Sequence, residues 1–170
     1  MITQTLSAIL LQIMQKETKH MTICFLLKRS DDGRIKTCLG EKKRGYRVGK
    51  LNGPGGKIEE GETPKDCVIR ETSEEFGICL NSIREAGEII YEGIDKIHHC
   101  YIFVSNEWQG NPTETEEMKP DWFDVENIPF ERMGKTDPLW LTEVLNGKSV
   151  EAKFRFDKVG NLSSRKLRIK

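Results

Sequence analysis

Between Thr63 and Gly77 the chain spells out a helix with both ends marked. Thr63 offers a hydroxyl to cap free N–H groups, Pro64 suits the first helical position, and Gly77 sits where a left-handed terminating residue belongs. Asp66, three residues after the cap, stands where a capping box prefers glutamate. These signals predict a helix from about Pro64 to Phe76. Cys67, Val68 and Ile69, with Thr72 and Phe76, supply a mostly apolar face, and the glutamates point elsewhere. Glu71, Glu74 and Glu75 stand three and four residues apart, which places them nearly on one side of the helix. Like charges so placed repel, by about 0.2–0.5 kcal/mol per pair on an exposed helix. Arg70 can relieve Glu74 one turn on, whereas Glu71 and Glu75 have no obvious partner nearby.

The segment before this helix points to a ligand for that charge. EKKRGYRVGKLNGPGGK contains five glycines and a proline, a loop that brings backbone close to something. It begins basic and is followed by Glu59, Glu60 and Glu62, so a basic loop adjoins an acidic element. A solvated acidic face is the ordinary explanation for a run of charge. Its usual cationic partners are sparse here, however, since Lys65 and Arg70 alone lie between Glu62 and Glu75. Hard divalent cations such as Mg2+ take oxygen ligands and bridge substrate phosphates. The basic loop is then suited to phosphate oxygens.

Around this unit strands and helices interleave, so the fold class is α/β, layered around a mixed sheet. TICFLLK and IKTCLG read as strands joined by the turn RSDDGR. Further strands are expected near Gly87–Tyr91, Cys100–Ser105, Trp122–Val125 and Val150–Phe156, then in LSSRKLRIK, with a second helix over Pro138–Leu145. A length of 170 residues suits one domain with a sizeable core. The 27 basic and 27 acidic side chains cancel, so no global field draws the chain to nucleic acid or membrane. Five cysteines, Cys24, Cys38, Cys67, Cys79 and Cys100, lack CxxC or Cys/His metal spacing. They read as buried free thiols in a reducing, cytoplasmic setting. Residues 1–20 read as an N-terminal extension, helical or disordered, ahead of a domain over 21–170. The apolar patch LSAILLQIM has no basic residue before it, as a signal peptide needs, and is too short to span a bilayer. Ile2, Leu6, Ile9, Leu10 and Ile13 fit an amphipathic helix.

Gly56, Glu62 and the run from Arg70 through Ile78 resemble the Nudix box at every charged and glycine position, with Thr72 where a bulky apolar residue is usual. The resemblance implies a loop–helix–loop in a Nudix-like α/β/α sandwich. It implies Mg2+-dependent hydrolysis of a nucleoside diphosphate linked to another group, with Mn2+ able to substitute. The implied metal ligands are the Gly55 carbonyl, Glu71, Glu74 and Glu75. Arg70 would brace the cluster, Glu62 would orient it, and Gly56 would allow the bend presenting the Gly55 carbonyl.

LGEKKRGYRVGKLNGPGGKIEEGET and PTETEEMKPDWFDVENIPFERM, with the Trp140 helix and the FRF strand, resemble the 8-oxo-dGTP pyrophosphatase branch of that family, homologous to MutT. This match runs from about Met21 nearly to the C-terminus. It implies cleavage of a purine nucleoside triphosphate, oxidised or not, to the monophosphate and pyrophosphate, as in nucleotide-pool sanitation allied to DNA repair. It makes Glu117 a further metal ligand or, with Glu71, a candidate base. Lys42 falls near the substrate, and Tyr46, Asn52, Tyr91, Asp137 and Trp140 on or near the base pocket. No stable nucleic-acid complex and no membrane contact are expected. That branch frames the base with a tryptophan and two adjacent aspartates. Here the corresponding positions are Gly134, Thr136 and Asp137, which implies a wider pocket or a different base. A lost aromatic platform costs about 1–3 kcal/mol of stacking per base. His98 and His99, nearby, read as surface histidines that would titrate near neutral pH if they lined the pocket. A nucleotide sugar, a dinucleoside polyphosphate or capped RNA remains open as substrate, and so does a non-catalytic nucleotide-binding module.

Overall fold

The computed structural model describes residues 16–170, so the amphipathic helix expected over Ile2 to Ile13 lies outside the described residues. Eight strands form one mixed sheet. The hairpin of β1 (Glu17–Arg29) and β2 (Ile35–Lys42) forms as expected. β1 starts at Glu17 rather than Thr22, because Glu17 to His20 pair in parallel with Lys96 to His99. After β3 (Leu51–Asn52) come β4 (Cys79–Glu92), β5 (Lys96–Gln109), β6 (Met118–Asp124), β7 (Val150–Phe156) and β8 (Leu162–Ile169). Their order is β3-β2-β1-β5-β4-β7-β8, with β6 on the other edge of β2. The pairs β1/β5 and β4/β7 are parallel and the rest antiparallel. β4 and β5 far exceed their expected lengths. They pair with each other through polar stretches, and bulges near Ser82 and Ala86 interrupt the two-residue period that marks a strand in sequence.

Helix α1 spans Pro64–Phe76 as expected. The Thr63 hydroxyl accepts the Asp66 N–H at 3.1 Å and donates to the Asp66 carboxylate at 2.6 Å, so Asp66 closes on the cap side chain. Gly77 ends the helix at φ 69°, its N–H donating to the Ser73 carbonyl. Helix α2 is shorter than expected. Asp137–Leu139 forms a 3-10 turn, Trp140 departs from helical geometry at φ −143°, and α2 covers Leu141–Leu145.

Alternation along β1 separates two cores. On the Cys24 and Leu26 side, α1 lays Val68 and Phe76 against Cys38, Phe103 and Met118. On the Ile23 and Phe25 side, Trp140, Leu141 and Val144 pack on Ile89, Ile102 and Phe154. Helices therefore cover both faces of a mixed sheet, the layering the resemblance implied. Ile69, expected on the apolar face of α1, is exposed, and Glu75 is buried in its stead. All five cysteines are free. Burial pushes the Cys24, Cys38 and Cys100 thiols up to about 12, while Cys79 departs from expectation by lying exposed. No described helix is long and apolar enough to cross a membrane.

Candidate active site

The glycine-rich loop is stitched to β1 at two points. Cys24 N–H donates to the Pro54 carbonyl at 2.8 Å and Thr22 N–H to the Gly56 carbonyl at 2.9 Å. Between them the Gly55 carbonyl accepts no hydrogen bond among the described residues. A Cβ on Gly56 would lie 2.3 Å from Glu71 Oε1, so glycine at this position is what lets α1 press Glu71 against the loop.

Arg70 organises the carboxylates. Its Nε and Nη2 grip Glu62 at 2.8 and 2.9 Å, while Nη1 donates to Glu71 at 2.8 Å and to Glu74 at 3.3 Å. Glu71 is thus partnered by its own neighbour, which sequence spacing did not suggest, because the long guanidinium arm folds back along the helix. The Arg70 guanidinium and the Glu59 N–H hold Glu62 down at about 2. Glu75 is 2 % exposed and accepts the Gly55 N–H at 2.8 Å. No lysine or arginine among the described residues lies within ion-pair distance of it. Burial pushes its pKa up to about 7; the nearby Glu71 and Glu117 charges add to this, and the Gly55 N–H and Lys42 oppose it. Burial also raises Glu71, against the pull of Arg70. All three glutamates lie in the second half of α1, whose last turn holds no basic residue. Glu74 and Glu75, within that turn, oppose the helix dipole by roughly 0.3–1 kcal/mol each.

Glu117 arrives from the loop before β6. Its carboxylate pairs with Arg44, while Lys43 N–H donates to its carbonyl at 2.8 Å. The basic loop is therefore tied across the segment that carries Glu117. Among the described residues no three His, Cys, Asp or Glu side chains are gathered at ligating distance of one point. The carboxylates close instead on Arg70, Arg44 and the Gly55 N–H. The donor chemistry nevertheless fits a hard divalent cation, with oxygens only, a free carbonyl, and a buried carboxylate lacking a cation.

On the other side of the sheet, Tyr91 of β4 stacks on Phe154, ring centroids 5.9 Å apart. Nearby, the Asp137 carboxylate accepts the Gly134 N–H at 2.7 Å and Thr136 is buried. Asn52 on β3 and Lys42 at the end of β2 are half-buried. Trp140 belongs to the core, its ring edge-on to Phe25 at 5.9 Å and its indole N–H without a partner. Tyr46, 86 % exposed, is not brought to this group. His98 pairs in register with Tyr91, and burial lowers its pKa. His99 points to the opposite face, stacked on Tyr101 at 4.5 Å and bonded to Glu88 at 2.7 Å. Arg44 and Arg47 were not singled out from sequence. Both stand in the basic run Glu41 to Arg47, but residue type does not separate them, because the placement of each depends on how the loop closes.

A family model described as NUDIX domain matches residues 3–144. The chain is 39% identical over 120 residues to the oxidized purine nucleoside triphosphate hydrolase of Danio rerio, covering 69% of this chain and 77% of the relative. It is 38% identical over 132 residues to the protein of the same name in Mus musculus, covering 76% and 85%. Among solved structures, a MutT protein from Bacillus halodurans superposes with a TM-score of 0.73 at 23% identity, covering 88% of this chain and 97% of that one.

Proposed function

The chain belongs to the NUDIX domain family, and from that membership we propose a divalent-metal-dependent hydrolase that splits purine nucleoside triphosphates, oxidised purines included, into monophosphate and pyrophosphate. The observation that carries this reading is Glu75, a buried carboxylate with one N–H partner and no cation, set beside Glu71 and below the Gly55 loop. The names of the zebrafish and mouse relatives support the purine substrate.

The Gly55 carbonyl, Glu71, Glu74, Glu75 and Glu117 are the residues that would hold the cation, Mg2+ by choice of donors and Mn2+ as a substitute. When bound, it neutralises phosphate charge and lowers the cost of generating the attacking hydroxyl. Glu71 or Glu117 takes the proton from water as its oxygen forms a bond to phosphorus. The P–O bond bridging the α- and β-phosphates breaks, and its electron pair leaves with the monophosphate or pyrophosphate that water has not attacked. Arg70 keeps Glu71 and Glu74 aligned through the Glu62 fork. Lys42 and the basic loop offer cationic partners to the phosphate chain. A cytoplasmic role in cleansing the nucleotide pool, upstream of DNA repair, follows from such a substrate.

The test is turnover of 8-oxo-dGTP, dGTP and 2-oxo-dATP at low concentration with Mg2+, reading pyrophosphate against orthophosphate, alongside pH–rate profiles of Glu71→Gln and Glu117→Gln. Pyrophosphate release and loss of rate in at least one variant are expected. No turnover with Mg2+ or Mn2+, or two variants at wild-type rate, would refute it.

A further inference from the structure

Arg47 is the one non-glycine among the described residues with a positive φ, 67°. A side chain in that region is strained, and such strain collects where position matters more than comfort. The loop fixes it there, since the Arg47 carbonyl accepts the Lys50 N–H, the Lys42 carbonyl accepts the Gly49 N–H and the Lys50 carbonyl accepts the Lys42 N–H. The guanidinium reaches over Gly134. A Cβ on Gly134 would lie 3.0 Å from Arg47 Nη2 and 2.7 Å from Asp137 Oδ2. Both groups therefore border one small hollow that any residue but glycine would fill. They do not close on each other, for no ion pair within 4 Å joins them.

Asp137 is 9 % exposed, with one oxygen accepting the Gly134 N–H and the other free of hydrogen bonds among the described residues. A cationic fork and a nearly buried carboxylate, side by side and unjoined around Gly134, form a donor row next to an acceptor row. The positive charge of Arg47 acts on both Asp137 and Tyr91, which burial pushes upward.

Resting on the purine nucleotide reading above, we infer that Arg47 is a specificity-determining residue, its guanidinium donating to the 6-carbonyl of a guanine-type base while Asp137 accepts the neighbouring N1–H and N2–H. The rim of guanine runs from acceptor O6 to two donors, which matches fork then carboxylate. Adenine presents the N6 amino donor to the fork and the bare N1 to the carboxylate, so both contacts oppose. Oxidation at C8 leaves that part of the rim unchanged, so the preference is for 6-oxopurines with or without the lesion.

The experiment compares kcat/KM for dGTP and 8-oxo-dGTP with that for dATP and 8-oxo-dATP, in wild type, Arg47→Ala, Arg47→Lys and Arg47→Gly, with Tm for each. Equilibrium binding of dGMP against dAMP to the same proteins reads the contact without turnover. In Arg47→Ala the guanine-to-adenine ratio falls about ten-fold or more, the order expected of one good base contact. The loss lies in KM, and Arg47→Lys recovers part of it. Arg47→Gly loses the selectivity while its Tm holds or rises, because the strain is gone. A ratio unchanged within about twofold while Tm falls makes Arg47 a structural counter-charge to Asp137 and overturns the inference. A wild type that turns over none of the four nucleotides fails the proposed function instead, and the dGMP-to-dAMP binding ratio still decides on Arg47.

Discussion

Gly56 and Glu71 fix one another's place. Substituting alanine for Gly56 puts a methyl carbon 2.3 Å from Glu71 Oε1, and the carboxylate must move. Because a displacement of about 1 Å at a reacting group costs on the order of 100-fold, Gly56→Ala should lose about that much in kcat and bind Mg2+ more weakly. Steady-state rates and a metal titration followed by calorimetry check this. At this scale the sequence is legible wherever spacing alone sets geometry. Arg70 meets Glu74 because helix periodicity requires it, whereas its contact with Glu71 needs the guanidinium to fold back along the helix. What spacing cannot show is rotation about the helix axis. Glu75 shares a side with Glu71 on a helical wheel, yet docking of α1 turns Glu75 beneath Gly55 and Ile69 out to solvent. Arg47 is hidden for a different reason, since a left-handed arginine is imposed by loop closure and leaves no mark in residue type.

Among the elements, α1 was readable to the residue because its ends are chemical. A hydroxyl, a proline and a glycine act on their immediate neighbours, whatever the rest of the fold does. Thr63→Ala removes the cap and should lower stability by about 1 kcal/mol. Chemical denaturation gives that value, and turnover at temperatures well below unfolding should persist, because Thr63 lies at the far end of α1 from the glutamate cluster. The long hairpin β4–β5 is harder to see in sequence for the opposite reason. Its outer halves owe their structure to each other's backbone rather than to apolar alternation, and bulges shift the phase of what alternation there is. The expected helix from Pro138 fails at Trp140, whose ring is drawn into the core beside Phe25 at the expense of helical backbone.

For the molecule as a whole, Glu92 joins parts that sequence keeps far apart. Its carboxylate meets Lys16 at 2.7 Å, Lys153 at 2.7 Å and Arg155 at 2.9 Å, linking the start of the described chain, β4 and β7. Hydrogen bonds from these cations hold its pKa at about 2, against an ordinary 4.5. A carboxylate depressed on folding adds stability that is present above its unfolded value and fades as pH falls toward the folded one. Glu92→Gln should therefore be less stable than wild type at pH 7, and the gap should shrink between about pH 4.5 and 2. Thermal melts of both proteins across that range measure it. The parallel pairing of β1 with β5 has another consequence, in the order of events during synthesis. The β2 partner of Leu26 to Arg29 follows within a few residues, but Met21 to Phe25 wait for Cys100 to Val104 along one edge. Through that interval an apolar strand, Ile23 to Leu26, leaves the ribosome with one side open. Closing so distant a contact makes folding slow, so the exposed edge of β1 is where a nascent chain of this protein is most vulnerable to pairing with the wrong neighbour.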